Sequence, residues 1–328
     1  AQGYVADAVC TSLVAYGRAL DYEASWGLAT DVFTTVAKMV KPERNARLAV
    51  EANVAAGGAA RRNGEWEISA RAYSQAAFIA DTLGDRPGVL TVQIGIANTY
   101  LAKGNLPQAR LILDDVIVQA RDHELREIQA DALHGRAALV FRQGSAADGL
   151  KLAHEALGLM NKPSSRDVLL GDIAAMFTEL GLHDAARDAH LVLAATAQGK
   201  VVRWSATLNL MELAGLSGSE EEFDAYAREL SKAPLGPWIR SHYLLFLGEG
   251  FQRLGREEAS VEALEEAVEF AESNQIHQIA FKAQAALANL SSTRRGSTTL
   301  TAPLSWVPDD VKAVVRAVSE LRRATVAA

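Results

Sequence analysis

A glycine recurs along this chain at intervals of 37 or 40 residues, and this spacing most constrains the fold. The positions are Gly27, Gly64, Gly104, Gly144, Gly181, Gly218 and Gly255. Each of the last six follows about fifteen residues of helical pattern, and a second helical segment follows all seven. Glycine suits the left-handed residue that ends a helix because it lacks a Cβ. The spacing therefore predicts a series of helical hairpins, each with its tight turn at one of these glycines.

Other residue types repeat at fixed distances from these glycines. Seven residues before the last six of them the chain has Gly57, Ala97, Ala137, Ala174, Met211 and Gly248, of which five are small. Twelve residues after each glycine the residue is always apolar. Small residues let two helices approach closely, and larger apolar residues fill the seam between them. Possible helix caps follow three of the glycines, at Asn105, Ser145 and Ser219.

The repeat resembles the tetratricopeptide repeat family. The best single match is the segment Ala97–Ala109, which has a small residue, an aromatic three later, the turn glycine and then an alanine on the second helix. The resemblance covers about residues 4–290. It departs from the family because the period exceeds 34 residues and the proline that ends each unit is largely absent. Longer units of this kind are similar to the arrays of bacterial regulators of the maltose-activator type and of kinesin light chains. The resemblance implies an all-α, right-handed α-solenoid of about seven hairpins over residues 1–290.

The last part of the chain has a different character. Residues 291–303 are rich in Ser, Thr and Gly and predict a polar linker or loop. Residues 304–328 predict a helix that opens near Pro308 and carries a stripe of valines, among them Val311, Val314 and Val318. A solenoid needs an atypical unit over its last exposed seam. We therefore expect a C-terminal capping helix, with a mobile docking helix as the alternative.

Charge and composition exclude several classes of partner. The formal net charge is −7, and no long basic stretch accompanies it, so nucleic-acid binding is not expected. No apolar run approaches the roughly 18 residues of a membrane span. The single cysteine, Cys10, lies in an apolar segment and is expected to be a buried small residue. We expect a cytoplasmic protein, with the periplasm as the alternative.

Sequence patterns of catalysis are not found. The chain has neither a GxxxxGK[ST] phosphate loop nor a GxSxG nucleophile turn. His183, Asp184, Asp188 and His190 share a short helical segment, but a solvated helix face explains them better than a metal site. We therefore expect no enzyme activity, no cofactor and no metal.

The resemblance also implies where a partner would bind. In peptide-binding members, the first helix of each hairpin lines the concave surface, at fixed positions before the turn glycine. Transferred to this chain, those positions give a candidate groove of Arg61, Arg62, Asn98, Asp131, His134, Arg142, Glu179, Glu212, His242, Glu249 and Arg253. The earlier part of this set leans basic and the later part acidic. The Lys and Asn array of a C-terminal carboxylate clamp is not reproduced.

Three functions follow as hypotheses. The first is a non-catalytic interaction scaffold or adaptor that binds a protein or peptide segment in the groove, with self-association possible. The second is a sensing domain of a bacterial regulator that binds a small ligand or peptide. The third, an enzyme on an α/α toroid, lacks the convergent acids that it would need.

Overall fold

The computed structural model describes residues 2–292 and 307–327, and the regular elements of these residues are all α-helices. The helices are α1 (Gln2–Tyr22), α2 (Trp26–Met39), α3 (Ala46–Arg62), α4 (Trp66–Thr82), α5 (Arg86–Ala102), α6 (Leu106–Asp122), α7 (Arg126–Arg142), α8 (Ala146–Leu159), α9 (Pro163–Glu179), α10 (His183–Thr196), α11 (Lys200–Ser217), α12 (Glu220–Lys232), α13 (Pro237–Arg253), α14 (Glu257–Ser273), α15 (His277–Ser292) and α16 (Asp309–Ala327).

The helices form two compact units, residues 1–161 and residues 162–328. In the first unit, helices α1 to α8 each pack on the next helix in the chain, and in the second unit helices α9 to α15 do the same. The odd-numbered helices also pack on the next odd-numbered helix, as α3 does on α5 and α11 on α13. Each unit therefore has an inner layer of odd-numbered helices and an outer layer of even-numbered ones. This arrangement confirms the expected all-α class with consecutive packing of helical hairpins.

Six of the seven predicted turn glycines have the left-handed conformation. Their φ angles lie between 68° and 85°, and the residue after each donates its backbone N–H to a carbonyl five residues earlier. For example, the N–H of Asn105 lies 2.9 Å from the carbonyl oxygen of Tyr100. This bond is the long bond of a Schellman motif, and it requires a residue with positive φ.

The prediction for Gly27 was wrong. This glycine lies inside α2, and the left-handed residue of the first hairpin is Ala24, with φ 57°. A non-glycine residue in this conformation costs roughly 1–2 kcal/mol. Its N–H closes a turn to Asp21 O at 3.2 Å, and Ser25 N lies 2.9 Å from Leu20 O, so the same motif forms without glycine. The first turn is thus 40 residues before Gly64, in register with its neighbours.

A shorter period underlies the 40-residue repeat in the first unit. Helices α3 to α7 all contain 17 residues and are joined by three-residue turns. The turns between hairpins also contain a left-handed residue, Gly84 after α4 and Glu124 after α6. Left-handed residues therefore recur every 20 positions from 64 to 144. The two turns of each repeat are built alike, and between residues 64 and 144 only the turn within the hairpin has glycine every time.

The predicted caps are correct for one helix and wrong for two. Asn105 accepts a hydrogen bond from the backbone N–H of Gln108, as expected. Ser145 and Ser219 make no such bond, and the Ser145 hydroxyl donates to the Asp148 carboxylate at 2.8 Å. The helices that follow are held by the Schellman turns before them and by packing.

The C-terminal helix packs against the start of the second unit. Its stripe of Val311, Val314 and Val318 is buried, and α16 packs on α10. The Ser319 hydroxyl donates a hydrogen bond of 2.9 Å to Asp188, which is 131 positions earlier in the chain. We expected this helix to cover the last seam, beside α15. Its principal packing partner in the structure is instead the first hairpin of its own unit.

The predicted linker falls, from residue 293 onward, outside the described residues, as do the first three residues of the predicted C-terminal segment. Cys10 is buried beside Val14, as expected. Within residues 2–292 and 307–327, no helix has the length and apolar character that a membrane span requires.

Candidate binding groove

A cavity of about 490 Å³ lies along the inner layer of the first unit. Side chains of α1, α3, α5 and α7 form its walls, and Phe33 and Tyr73 reach it from the outer helices α2 and α4. We call it the first-unit cavity. The predicted groove residues that line it are Arg61, Arg62, Asn98, Asp131, His134 and Arg142. The structure therefore brings six of the eleven predicted residues to one site.

Tyr73 reaches the cavity because two glycines give it room. Its ring lies between α3 and α5, where a Cβ at Gly57 would be 2.9 Å from Tyr73 Cε1 and a Cβ at Gly95 only 2.3 Å. Ser69 of the same outer helix donates a buried hydrogen bond of 2.9 Å to the Gly57 carbonyl. Gly57 was correctly predicted to be a close-packing position, whereas the role of Tyr73 was not predicted. The pairing of Gly57 with a second inner-layer glycine was the signal that could have revealed it.

Arg61 lies beside Tyr73 in a largely desolvated position. Burial lowers the pKa of Arg61, and the neighbouring Tyr73 hydroxyl partly offsets this effect. Burial also raises the pKa of Tyr73, while Arg61 opposes the rise. The Nε atom of Arg61 is buried and has no hydrogen-bond acceptor among the residues that the structure describes. An unsatisfied buried donor of this kind is uncommon in folded proteins and calls for an explanation.

The other arginines of the cavity are held by partners within the protein. The Arg62 guanidinium binds the Asp21 carboxylate, with Nε 3.0 Å from Oδ1, and thereby ties α3 to α1. Arg18 forms a second ion pair between the same helices, with Glu51. The Nη1 atom of Arg142 donates to the Leu101 carbonyl at 3.0 Å, which ties α7 to α5. Arg62 and Arg142 therefore also hold the wall together.

The remaining predicted residues of the first unit lie on α5 and α7. The Asn98 amide is half-buried, and a Cβ at Gly135 would lie 3.3 Å from its Oδ1 atom. Asn98 therefore sits at the seam of the two helices, facing the cavity. Asp131 and His134 are half-buried and occupy successive turns of α7 in the same wall.

The second unit contains the other five predicted residues. Glu212 of α11 lies near Glu249 and Arg253 of α13, and Glu249 is paired with Arg253 at 3.3 Å. Burial, together with the charge of Glu249, raises the pKa of Glu212 to about 6. These three residues form one cluster.

The other two predicted residues of the second unit, His242 and Glu179, have different surroundings. The His242 ring stacks on Trp238 of the same helix, with centroids 4.1 Å apart, and burial lowers the pKa of His242. Glu179 is exposed at the end of α9.

The predicted difference in charge, basic in the earlier groove residues and acidic in the later ones, coincides with the division into two units. The first-unit cavity contains four arginines, Arg18, Arg61, Arg62 and Arg142, against the two aspartates Asp21 and Asp131. The predicted residues of the second unit include three glutamates against Arg253. The basic and the acidic residues therefore belong to separate compact bodies, each with its own inner layer.

No group of three potential metal ligands occurs in the described part of the chain. Within the segment considered above, Asp188 accepts the hydrogen bond from Ser319, and His190 is buried, so that its pKa falls to about 4. The expectation of a solvated helix face was therefore wrong for His190, which is buried in α10.

Comparison with models of protein families and with curated proteins finds no match for this chain. The likeness to tetratricopeptide repeats therefore rests on the repeat pattern of the sequence.

Proposed function

We propose that this chain is a non-catalytic binding protein whose first-unit cavity holds an extended segment of a partner protein. The observation that carries the proposal is the convergence of Arg61, Asn98, Asp131 and His134 on one cavity along the inner layer. These residues come from three different helices, and the repeat brings them together. Inner layers of stacked hairpins supply the extended surfaces on which such proteins bind their partners.

The character of the cavity supports a peptide ligand. Its walls combine apolar surface from Val54, Ile94 and Leu101 with the amide of Asn98. An amide both donates and accepts, so it can pair with the backbone of a bound extended segment. The side-chain amide of Asn98 makes no hydrogen bond with any residue in 2–292 or 307–327, so it is available for this role.

A small ligand is the second candidate, and the size of the cavity favours it. A volume of about 490 Å³ lies within the range of about 300–1,000 Å³ for small-molecule sites. In that case the chain would act as the sensing part of a regulator. A ligand that binds only the folded state raises the midpoint of thermal unfolding, so a screen of metabolites by thermal shift separates this function from the first.

The experiment for the proposed function is selection from a random peptide library displayed on phage, with the full chain as bait. The test variant is Asn98→Arg, which puts a long side chain into the cavity. The matched control is Leu111→Arg, at an outer-layer position of the same unit that is 66% exposed. We expect the native chain and the Leu111→Arg variant to enrich the same peptides, and the Asn98→Arg variant to lose them.

Two results would count against the proposal. Peptides that bind the Asn98→Arg variant as tightly as the native chain would place the binding surface elsewhere. Failure of the native chain to enrich any peptide would remove the segment-binding function.

A further inference from the structure

We infer that the first-unit cavity selects a segment with an acidic side chain, whose carboxylate binds the guanidinium of Arg61 beside the Tyr73 hydroxyl. This inference rests on the proposed function and names the chemistry of the ligand. It starts from a buried polar atom for which the structure gives no partner, the Nε of Arg61.

The charges around the cavity leave Arg61 without a carboxylate. Its walls carry four arginines against two aspartates, and Glu51 neutralises Arg18, so the excess is one positive charge. Asp21 is the nearby carboxylate, but Arg62 binds both of its oxygens. Among the described residues, no ion pair joins Arg61 to an acid, and its side-chain hydrogen bond is with the Tyr73 hydroxyl. An anion from outside would supply the missing acceptor.

The geometry of a guanidinium fits a carboxylate better than it fits other groups. The Nε–H and one Nη–H point in parallel and bind both oxygens of a carboxylate together. Tyr73 is held in place by the close contacts at Gly57 and Gly95, so its hydroxyl is a fixed second donor. Both donors are already desolvated before a ligand arrives, which strengthens a charged hydrogen bond made there.

Among the cavity arginines, Arg61 alone is paired with neither a carboxylate nor a backbone carbonyl of the described residues, and one such guanidinium favours a singly charged anion. Phosphate groups carry close to two negative charges and are bound by clusters of arginines. The neighbouring Arg62 is engaged by Asp21, and Arg142 is bound to the Leu101 carbonyl. The cavity therefore fits an Asp or Glu side chain better than a phosphorylated residue.

The test uses two phage libraries of nine-residue segments, one with Glu and the other with Gln fixed at the central position. Asp and Glu are omitted from all other positions, and fusion to the coat protein removes the free C-terminal carboxylate. The bait is the full chain, either native or with Arg61→Gln. The matched control is Arg110→Gln, an exposed arginine of the outer helix α6.

We expect the native chain and the Arg110→Gln variant to enrich the Glu library at least about tenfold over the Gln library, as a hydrogen bond to a charged group implies. The Arg61→Gln variant should enrich the two libraries equally. Arg61→Lys keeps the charge but loses the paired donors, and it should show a reduced preference. It replaces the Gln variant if circular dichroism shows that the latter is unfolded.

The outcomes separate the inference from the proposed function. Equal enrichment of both libraries by the native chain overturns the acidic ligand and leaves segment binding intact. A Glu preference that survives at full strength in Arg61→Gln and in Arg61→Lys overturns the role of Arg61. Enrichment of neither library overturns the acidic ligand and the proposed function together.

Discussion

The ring of Tyr73 occupies the space that a side chain at Gly95 would need, since a Cβ built there lies 2.3 Å from Tyr73 Cε1. An outer-layer aromatic thus passes between two inner helices to reach the cavity. Phe223 of α12 likewise packs between α11 and α13 in the second unit, where a Cβ at Gly250 would lie 2.1 Å from its Cε2 atom. Close approach at glycine therefore positions aromatic side chains in both units.

Gly95→Ala is expected to destabilise the protein by about 1–3 kcal/mol, because a buried ring must move to admit the methyl group. The displacement should also disturb the Tyr73 hydroxyl and weaken any ligand of the cavity. The measurement is urea unfolding. Gly158→Ala on α8 is the control, since nothing lies within 4 Å of its Cβ and alanine suits a helix better, by up to about 1 kcal/mol. Equal effects of the two substitutions would refute the packing argument.

Two substitutions in equivalent turns should change the free energy of unfolding in opposite directions. Gly104 and Glu124 have φ angles of 79° and 56° in successive turns of the same build. Gly104→Ala should lower the free energy of unfolding by about 1 kcal/mol, because a Cβ is strained in this conformation. Glu124→Gly should raise it by a similar or smaller amount. Chemical denaturation measures both, and a loss of stability in Glu124→Gly would contradict the account.

Stability should fall with rising pH through the titration of Glu212. The pKa of this carboxyl is raised from 4.5 to about 6 in the folded protein, first by burial and then by Glu249. Ionisation is therefore harder in the folded state, and no penalty exists below pH 4.5. The penalty grows as the pH rises to about 6 and then stays constant, at about 1–2 kcal/mol.

The measurement for Glu212 compares the native chain with Glu212→Gln, which cannot ionise, by thermal unfolding between pH 4 and pH 8. The Gln variant should gain stability relative to the native chain as the pH rises through this window. Arg253 and Lys282 favour the charged form and limit the size of the effect. A stability difference that does not change with pH would mean that Glu212 has an ordinary pKa.

The docking of α16 on α10 is expected to depend on its valine stripe. Val318→Asp puts a charge at a fully buried position, so the helix should detach and unfold, and trypsin should then cleave the backbone after arginines such as Arg316 and Arg322. Val326→Asp, at a position 69% exposed on the same helix, is the control. Limited proteolysis followed by mass spectrometry should show faster cleavage within α16 for the first variant alone.

The turn glycines could be predicted from the sequence because left-handed backbone at the end of a helix favours one residue type. The same argument failed where another residue takes that conformation, as at Ala24 and Glu124, and it hid the 20-residue period. The position of α16 could not be read from its amphipathic pattern, which shows that a face is buried but not against what. Its hydrogen bond to Asp188 joins residues that no local pattern connects.

The candidate site could also be predicted only in part from the sequence. Six residues of the cavity were predicted correctly from the repeat register, because equivalent positions of successive inner helices face the same way. The differences among the arginines were not predictable. Arg61 and Arg62 are neighbours in sequence, yet Arg62 is paired with Asp21, 41 positions away, and the Nε of Arg61 has no acceptor within the described residues. Such differences depend on long-range contacts that the sequence pattern does not specify.

If a partner segment occupies the first-unit cavity, photo-crosslinking from inside the cavity in the producing cells will capture it. A benzophenone amino acid replaces Asn98 in one variant and the outer-layer residue Leu111 in another, and the adducts are identified by mass spectrometry. We expect a defined protein adduct from position 98, formed through one segment, and none from position 111. An adduct from position 111 alone, or none from either position, would contradict the binding of a partner segment in the cavity.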